Sequence, residues 1–211
     1  MHFNKVLALA PPSDDAEIGC GGTLARFLDE GKQLFVVAFS TAEESLPPGS
    51  ARHKLRDEFL EAMDILGVPE DHVRVYGYPV RRLPESRQEV LEELIRIKAE
   101  FAPDTVFLPS GNDMHQDHQV IFNEGLRAFK EFTIWGYDLP WNHLAFSDTA
   151  FVTLEERHLE KKLEVLSAYK SQIELKRPYF RREAVYAQAR MRGLQVKAEF
   201  AEVFEVVRIK I

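Results

Sequence analysis

Cysteine is nearly absent from this chain: Cys20 is the single one in 211 residues, which excludes an intrachain disulfide and suits a reducing compartment. No apolar run approaches the roughly 20 residues that a membrane helix needs. The opening MHFNKVLALAPPSDD has one Lys and a short apolar run broken by Pro11 and Pro12, so it lacks the apolar core and cleavage pattern of a secretory leader. A cytoplasmic location is expected, with no membrane partner. Clusters of Lys and Arg are also missing, and 27 basic against 34 acidic residues leave a formal charge of −7, which argues against nucleic acid as a partner. Internal repeats, low-complexity tracts and dividing linkers are absent, so residues 1–211 read as one domain.

What the chain does have is apolar residues, 45% of the total, in runs with a clear period. Lys5 to Ala10, Gln33 to Phe39 and Thr105 to Leu108 read as buried strands, and Val73 to Tyr76 and Phe132 to Tyr137 as further ones. Between them, helical spacing is expected from Gly22 to Glu30, through Leu55, Phe59, Ala62, Met63 and Leu66 to a stop at Gly67, from Glu89 to Phe101 and from Val120 to Phe129. Ser40 to Ser50 has the Ser, Pro and Gly content of a loop. Beyond these come a short strand at Phe151 and Val152, one long helix from Leu154 to Ile173, an irregular portion and a closing strand, Phe204 to Ile211. The alternation predicts an α/β fold, a Rossmann-like three-layer sandwich with a mostly parallel sheet. The segment FTIWGYDLPW reads equally as core or as an interface, which leaves open whether the chain forms a homo-oligomer.

Two polar clusters follow two of the expected strands: Pro12-Ser13-Asp14-Asp15-Ala16-Glu17, and Asn112-Asp113-Met114-His115-Gln116-Asp117-His118. In sheets of this kind ligands bind beyond the carboxyl ends of the strands, so both clusters belong on one rim. Adjacent carboxylates and two histidines three apart offer oxygen and imidazole ligands to a metal such as zinc, with a carboxylate left as general base. A turn and helix N-cap at Asp14 and Asp15 is the plainer reading of that pair.

In these residues the chain resembles the LmbE-like or PIG-L-like N-deacetylases, which act on N-acetylglucosaminyl groups and related amides. The family's Ala-His-Pro-Asp-Asp-Glu and Gly-Cys-Gly-Gly-Thr are met here by Ala-Pro-Pro-Ser-Asp-Asp-Ala-Glu-Ile-Gly-Cys-Gly-Gly-Thr. Its His-x-Asp-His stands intact as His115-Gln116-Asp117-His118, and YKSQIE at Tyr169 and RMRGLQVKAEFAEVF also look like the family's later half. The resemblance implies Asp14 as general base, Asp15 and His118 as zinc ligands, His115 as oxyanion stabiliser or acid, and Asp117 as the residue that orients a histidine. It implies removal of an acetyl group from an N-acetylated sugar or sugar conjugate with a divalent metal, zinc by family, as cofactor.

Two positions depart from the pattern, Pro12 and Ser13, the latter standing where the family has proline. The family's first zinc-ligand histidine is replaced by Pro12, which has no donor, while a catalytic zinc site uses three protein ligands and an open position. Three outcomes are open: another ligand is recruited (Asp14, Asp113, His115 or His143), a harder metal is held through oxygens, or none is bound. In the last case the chain would be an inactive protein of deacetylase fold that binds a carbohydrate or a protein partner.

Other residues are read more plainly. Arg56 is a candidate for an anionic substrate group, against a solvated helix face, and Arg192 carries the same ambiguity. His2, His53, His72 and His158 read as surface residues and His143 as a packed loop residue. Cys20 reads as a small buried residue rather than a nucleophile. The string Gly19-x-Gly21 opens a dinucleotide fingerprint, but the polar segment Pro11 to Glu17 intervenes after the strand and Leu24 occupies the third glycine position.

Overall fold

The structure, a computed structural model, describes residues 3–51 and 53–211. His2 lies outside them. Seven strands form one sheet in the order β3-β2-β1-β4-β5-β7-β6, from β1 (Lys5–Pro12), β2 (Gln33–Ser40), β3 (Val73–Val75), β4 (Thr105–Pro109), β5 (Thr133–Tyr137), β6 (Ala150–Leu154) and β7 (Phe200–Arg208). The first five pair in parallel, and β7 runs antiparallel to both β5 and β6. Alternate residues of β1 face opposite layers: Val6, Ala8 and Ala10 join one core, Leu7 and Leu9 the other. The expected three-layer α/β sandwich is therefore what forms. None of the described helices is long and apolar enough to cross a membrane.

The helices are α1 (Asp15–Asp29), α2 (Lys54–Leu66), α3 (Arg87–Phe101), α4 (Gln116–Ala128), α5 (Glu156–Ser167), α6 (Lys170–Glu174) and α7 (Arg182–Gln195). Helix α1 begins seven residues before the expected Gly22 and bends at Cys20, whose φ of −142° and ψ of 19° are not helical. The bend frees backbone groups, and a buried ion pair takes them up. Lys162 Nζ donates to Ile18 O at 2.6 Å and to Glu202 Oε1 at 2.7 Å, while Glu202 accepts from the amides of Gly22 and Thr23 at 3.0 and 2.7 Å. The glycines fit the same joint: a Cβ on Gly19 would stand 2.5 Å from the Tyr137 ring, and one on Gly22 would stand 2.6 Å from Leu154 Cδ1. Cys20 is buried, and its thiol donates to Ala16 O at 3.1 Å.

Two expectations for the C-terminal third are corrected. The single helix from Leu154 to Ile173 is two helices, because the chain turns at Ala168 and Tyr169 to send the Tyr169 hydroxyl beneath Ser13 and Glu17. The portion expected to be irregular contains α7. His158 is not a surface residue: it is 3% exposed, and its Nδ1 accepts the Glu155 amide at 3.0 Å in a capping box at the start of α5. His72 is half-buried and stacked on Phe35, whereas His53 is exposed. Arg192 holds buried Asp138 at 2.7 Å. In FTIWGYDLPW, Ile134, Trp135, Tyr137 and Leu139 are core, and the exposed residues are the last two, Pro140 and Trp141.

Candidate active site

The chain runs from β1 outward to β2 and β3, then crosses back to β4 and β5, so the order reverses between β1 and β4. Crevices form beyond the carboxyl ends of strands at such a reversal, and both polar clusters lie there. Asp14, Asp15, His115 and His118 line one cleft of about 250 Å³, together with Trp141 and Arg177.

The turn after β1 is held from below: Tyr169 Oη donates to Ser13 O at 3.0 Å and lies 2.5 Å from Glu17 Oε1. Asp14 occupies the N-cap of α1, yet its carboxylate makes no capping bond. The capping reading is thus correct for the backbone only, and the half-buried side chain faces the cleft. Burial in the cleft wall and the adjacent Asp15 charge push the Asp14 carboxyl up to about 7, against smaller opposing effects that include Arg177 and His118. Burial likewise pushes Glu17 up to about 8.

The second cluster follows β4, where Ser110 Oγ and the Gly111 amide both donate to Glu205 Oε2, at 2.8 and 3.0 Å. His115 caps α4, its Nδ1 accepting the Asp117 amide at 3.2 Å. With Nδ1 an acceptor, the neutral ring carries its proton on Nε2. Burial, then the neighbouring His118 charge, holds the His115 imidazole below its usual range, which favours that neutral donor.

Asp117 meets a histidine through its backbone amide only, on His115 Nδ1. Its buried carboxylate accepts the backbone amides of Arg81 and Leu83, tying down the segment before α3. The orienting carboxylate is Asp113. Its Oδ2 lies 2.7 Å from His118 Nδ1 and 3.3 Å from Asn142 Nδ2, and its Oδ1 accepts the His115 amide at 2.8 Å. On the other edge of the ring, His118 Nε2 faces Asp15 Oδ2 at 2.8 Å. Burial opposes charge on His118, but the carboxylates of Asp15 and Asp113 outweigh it and push the imidazole up to about 10. Asp113→Asn removes one of these charges and is expected to bring the His118 imidazole down from about 10 toward its usual range. An NMR titration of the histidine rings, with melting curves as the folding control, checks this.

The donor set can be tested against the expected metal. Asp15 Oδ2 is buried without a well-aligned hydrogen bond and faces an imidazole nitrogen, as one member of a ligand pair would. Two ligands about 2.0–2.2 Å from one tetrahedral ion lie roughly 3.3–3.6 Å apart, so the 2.8 Å separation is direct contact between the two groups. No group of three or more His, Cys, Asp or Glu donors suited to a metal occurs among the described residues. Asp113 and His115 are engaged with His118 and α4, and His143 packs on Phe146 with Nε2 3.1 Å from Asp138. The arrangement therefore does not fit a three-ligand zinc centre.

Arg56 is exposed and is not among the cleft-lining residues. The guanidinium in the wall belongs to Arg177, beside Tyr179, which stacks on Trp141 with centroids 4.3 Å apart. These wall residues follow the turn at Lys176, where φ is +57°, and no sequence period marks such a turn.

A family model described as PIG-L, GlcNAc-PI de-N-acetylase, matches residues 7–129. The uncharacterized deacetylase YaiS of Escherichia coli K12 is 27% identical over 170 residues, covering 79% of this chain and 90% of that protein. The diacetylchitobiose deacetylase of Thermococcus kodakarensis is 29% identical over 132 residues, covering 59% of this chain and 48% of its own. Among solved structures, the conserved protein TT1542 of Thermus thermophilus superposes with a TM-score of 0.80 at 25% identity, covering 98% of this chain and 96% of its own.

Proposed function

Because the chain belongs to the PIG-L family of GlcNAc-PI de-N-acetylases, we propose that its cleft hydrolyses the N-acetyl group of an N-acetylated sugar or sugar conjugate. The observation that carries this reading is the Asp14 carboxyl, which faces the cleft, caps nothing and is held at about 7, the poise of a general base near neutral pH. Relatives named as deacetylases, one of them acting on diacetylchitobiose, support amide hydrolysis as the reaction.

In this reaction the Asp14 carboxylate takes a proton from water as the water oxygen adds to the acetyl carbonyl. The Nε2–H of neutral His115 donates to the developing oxyanion. A neutral imidazole donates a hydrogen bond but gives up its proton with difficulty, so Asp14 returns the proton to nitrogen as the C–N bond breaks. Acetate and a free amine leave. Asp113 holds His118 and the start of α4 in place, and Asp117 keeps Arg81 and Leu83 against the same helix. Asp15 and His118, expected as metal ligands, act here as a charged pair beside Asp14.

A second reading, an inactive protein of the same fold, is favoured by one observation: Pro12 supplies no donor and Asp15 closes directly on His118. Acetate release from N-acetylglucosamine and from N,N′-diacetylchitobiose, assayed with and without added zinc, iron or manganese, separates the two. Release by the unaltered chain is the expected result. No release under any condition, together with activity gained in Pro12→His, would assign the inactive reading instead.

A further inference from the structure

Helix α7 carries two apolar stripes, and the one with the larger side chains faces water. Val185, Ala189 and Gly193 are buried. Ala184, Ala187, Met191 and Leu194 run along the opposite side: Met191 and Leu194 are 64% and 73% exposed, Ala187 is exposed and Ala184 half-buried. Single apolar residues on a surface need no partner. These four, however, are spaced 3, 4 and 3 apart, the repeat by which one helix lies along another in a coiled coil. With about 3.6 residues per turn they span about 80° of the helix surface, centred opposite the three buried residues. The stripe therefore points away from the body of the molecule.

The order of sizes along the stripe indicates what covers it. From its N-terminal end it runs small, small, large, large, a pattern complementary to its own reverse. When two copies pair their α7 helices antiparallel about a two-fold axis beside Ala189, Ala184 lies opposite the partner's Leu194 and Ala187 opposite the partner's Met191, so each layer joins one small and one large side chain. A parallel pair would set large against large. The flanks permit this seam: Gln188 and Gln195 are uncharged, Glu183 stands at the far end from its copy, and Arg190 leans over the Phe200 ring, 5.5 Å from its centroid. Helix α7 has 14 residues, and covering its stripe, its flanks and Val196 on both copies removes roughly 1,000 Å² from water, the area that a specific interface needs. We propose that the chain forms a two-fold dimer through antiparallel α7 helices, Ala184 and Ala187 of each copy receiving Leu194 and Met191 of the other.

Sedimentation velocity of the full chain, from about 1 μM to about 300 μM, tests this, because an interface of this size belongs to the micromolar class. The expected result is a monomer at the dilute end that passes to a species of twice its mass. Met191→Glu and Leu194→Glu change exposed positions, so the fold should survive, with melting curves as the control. Each places a carboxylate in the seam and is expected to raise the dissociation constant by about 10-fold or more. Ala187→Met alone sets Met against Met191 and should weaken the dimer as well. The exchange of Ala187→Met together with Met191→Ala puts one small and one large side chain back into each central layer, and is expected to return the constant to within about threefold of its original value. A monomer at every concentration, an assembly whose mass Met191→Glu leaves unchanged, or an exchange variant no better than Ala187→Met alone overturns the proposal.

Discussion

Asp14→Asn is expected to lower kcat/KM for acetate release by about 10²- to 10⁴-fold, the range that a positioned general base contributes. Asparagine keeps the shape of the side chain and cannot accept the proton of water. Stability should not fall, because the substitution removes a negative charge that stands against Asp15. The wild-type pH profile carries the same information. Only the ionised carboxyl is a base, so activity should be low in acid, rise as pH passes through about 7 and level off above it. In the variant that rising limb should disappear. A variant within about threefold of wild type, or a wild-type profile flat across neutrality, would remove Asp14 from the role of base.

Lys162→Met is expected to destabilise the fold by about 3–5 kcal/mol, the cost of removing one partner of a buried ion pair. Lys162 and Glu202 have side chains only 6% and 7% exposed, so the carboxylate left behind has little access to water. The substitution also strands the Ile18 carbonyl, which Lys162 Nζ reaches at 2.6 Å. Glu202→Gln is expected to cost less, because the amide oxygen can still accept from Gly22 or Thr23. Urea denaturation with linear extrapolation measures both. A loss under about 1 kcal/mol for Lys162→Met would mean that the pair is solvated and that α1 does not depend on it.

The sequence was informative where local pattern and final environment agree. Strands β1, β2 and β4 are buried on both faces and therefore read as continuous apolar runs. Helix α7 escaped detection because only Val185, Ala189 and Gly193 are buried along it, too thin a stripe to show a period. The break between α5 and α6 was equally hidden. Helix-forming residues run through it, and what ends α5 is a distant contact, the Tyr169 hydroxyl reaching Ser13 and Glu17.

The candidate site divides in the same way. The spacing of the two clusters correctly brought Asp14, Asp15, His115 and His118 to one cleft. It could not say which acid of the run Asn112 to His118 faces a ring. That depends on α4 starting at Gln116, which turns the Asp117 carboxylate toward Arg81 and Leu83 and leaves Asp113, outside the helix, to meet His118. Arg177 in place of Arg56 is a similar case, decided by the turn at Lys176.

The supports of the cleft have a consequence for how the molecule is made. The two polar clusters that line the cleft precede the segments that support them: Ser13 and Glu17 wait for Tyr169, Gly22 and Thr23 for Glu202, and Ser110 and Gly111 for Glu205. Such pairings close long loops, and long loops slow folding. During synthesis the N-terminal half leaves the ribosome first, with the joint at Cys20 and the rim of the cleft still lacking their partners. The rim of the cleft is completed only when β7, the latest in chain order of the seven described strands, docks between β5 and β6.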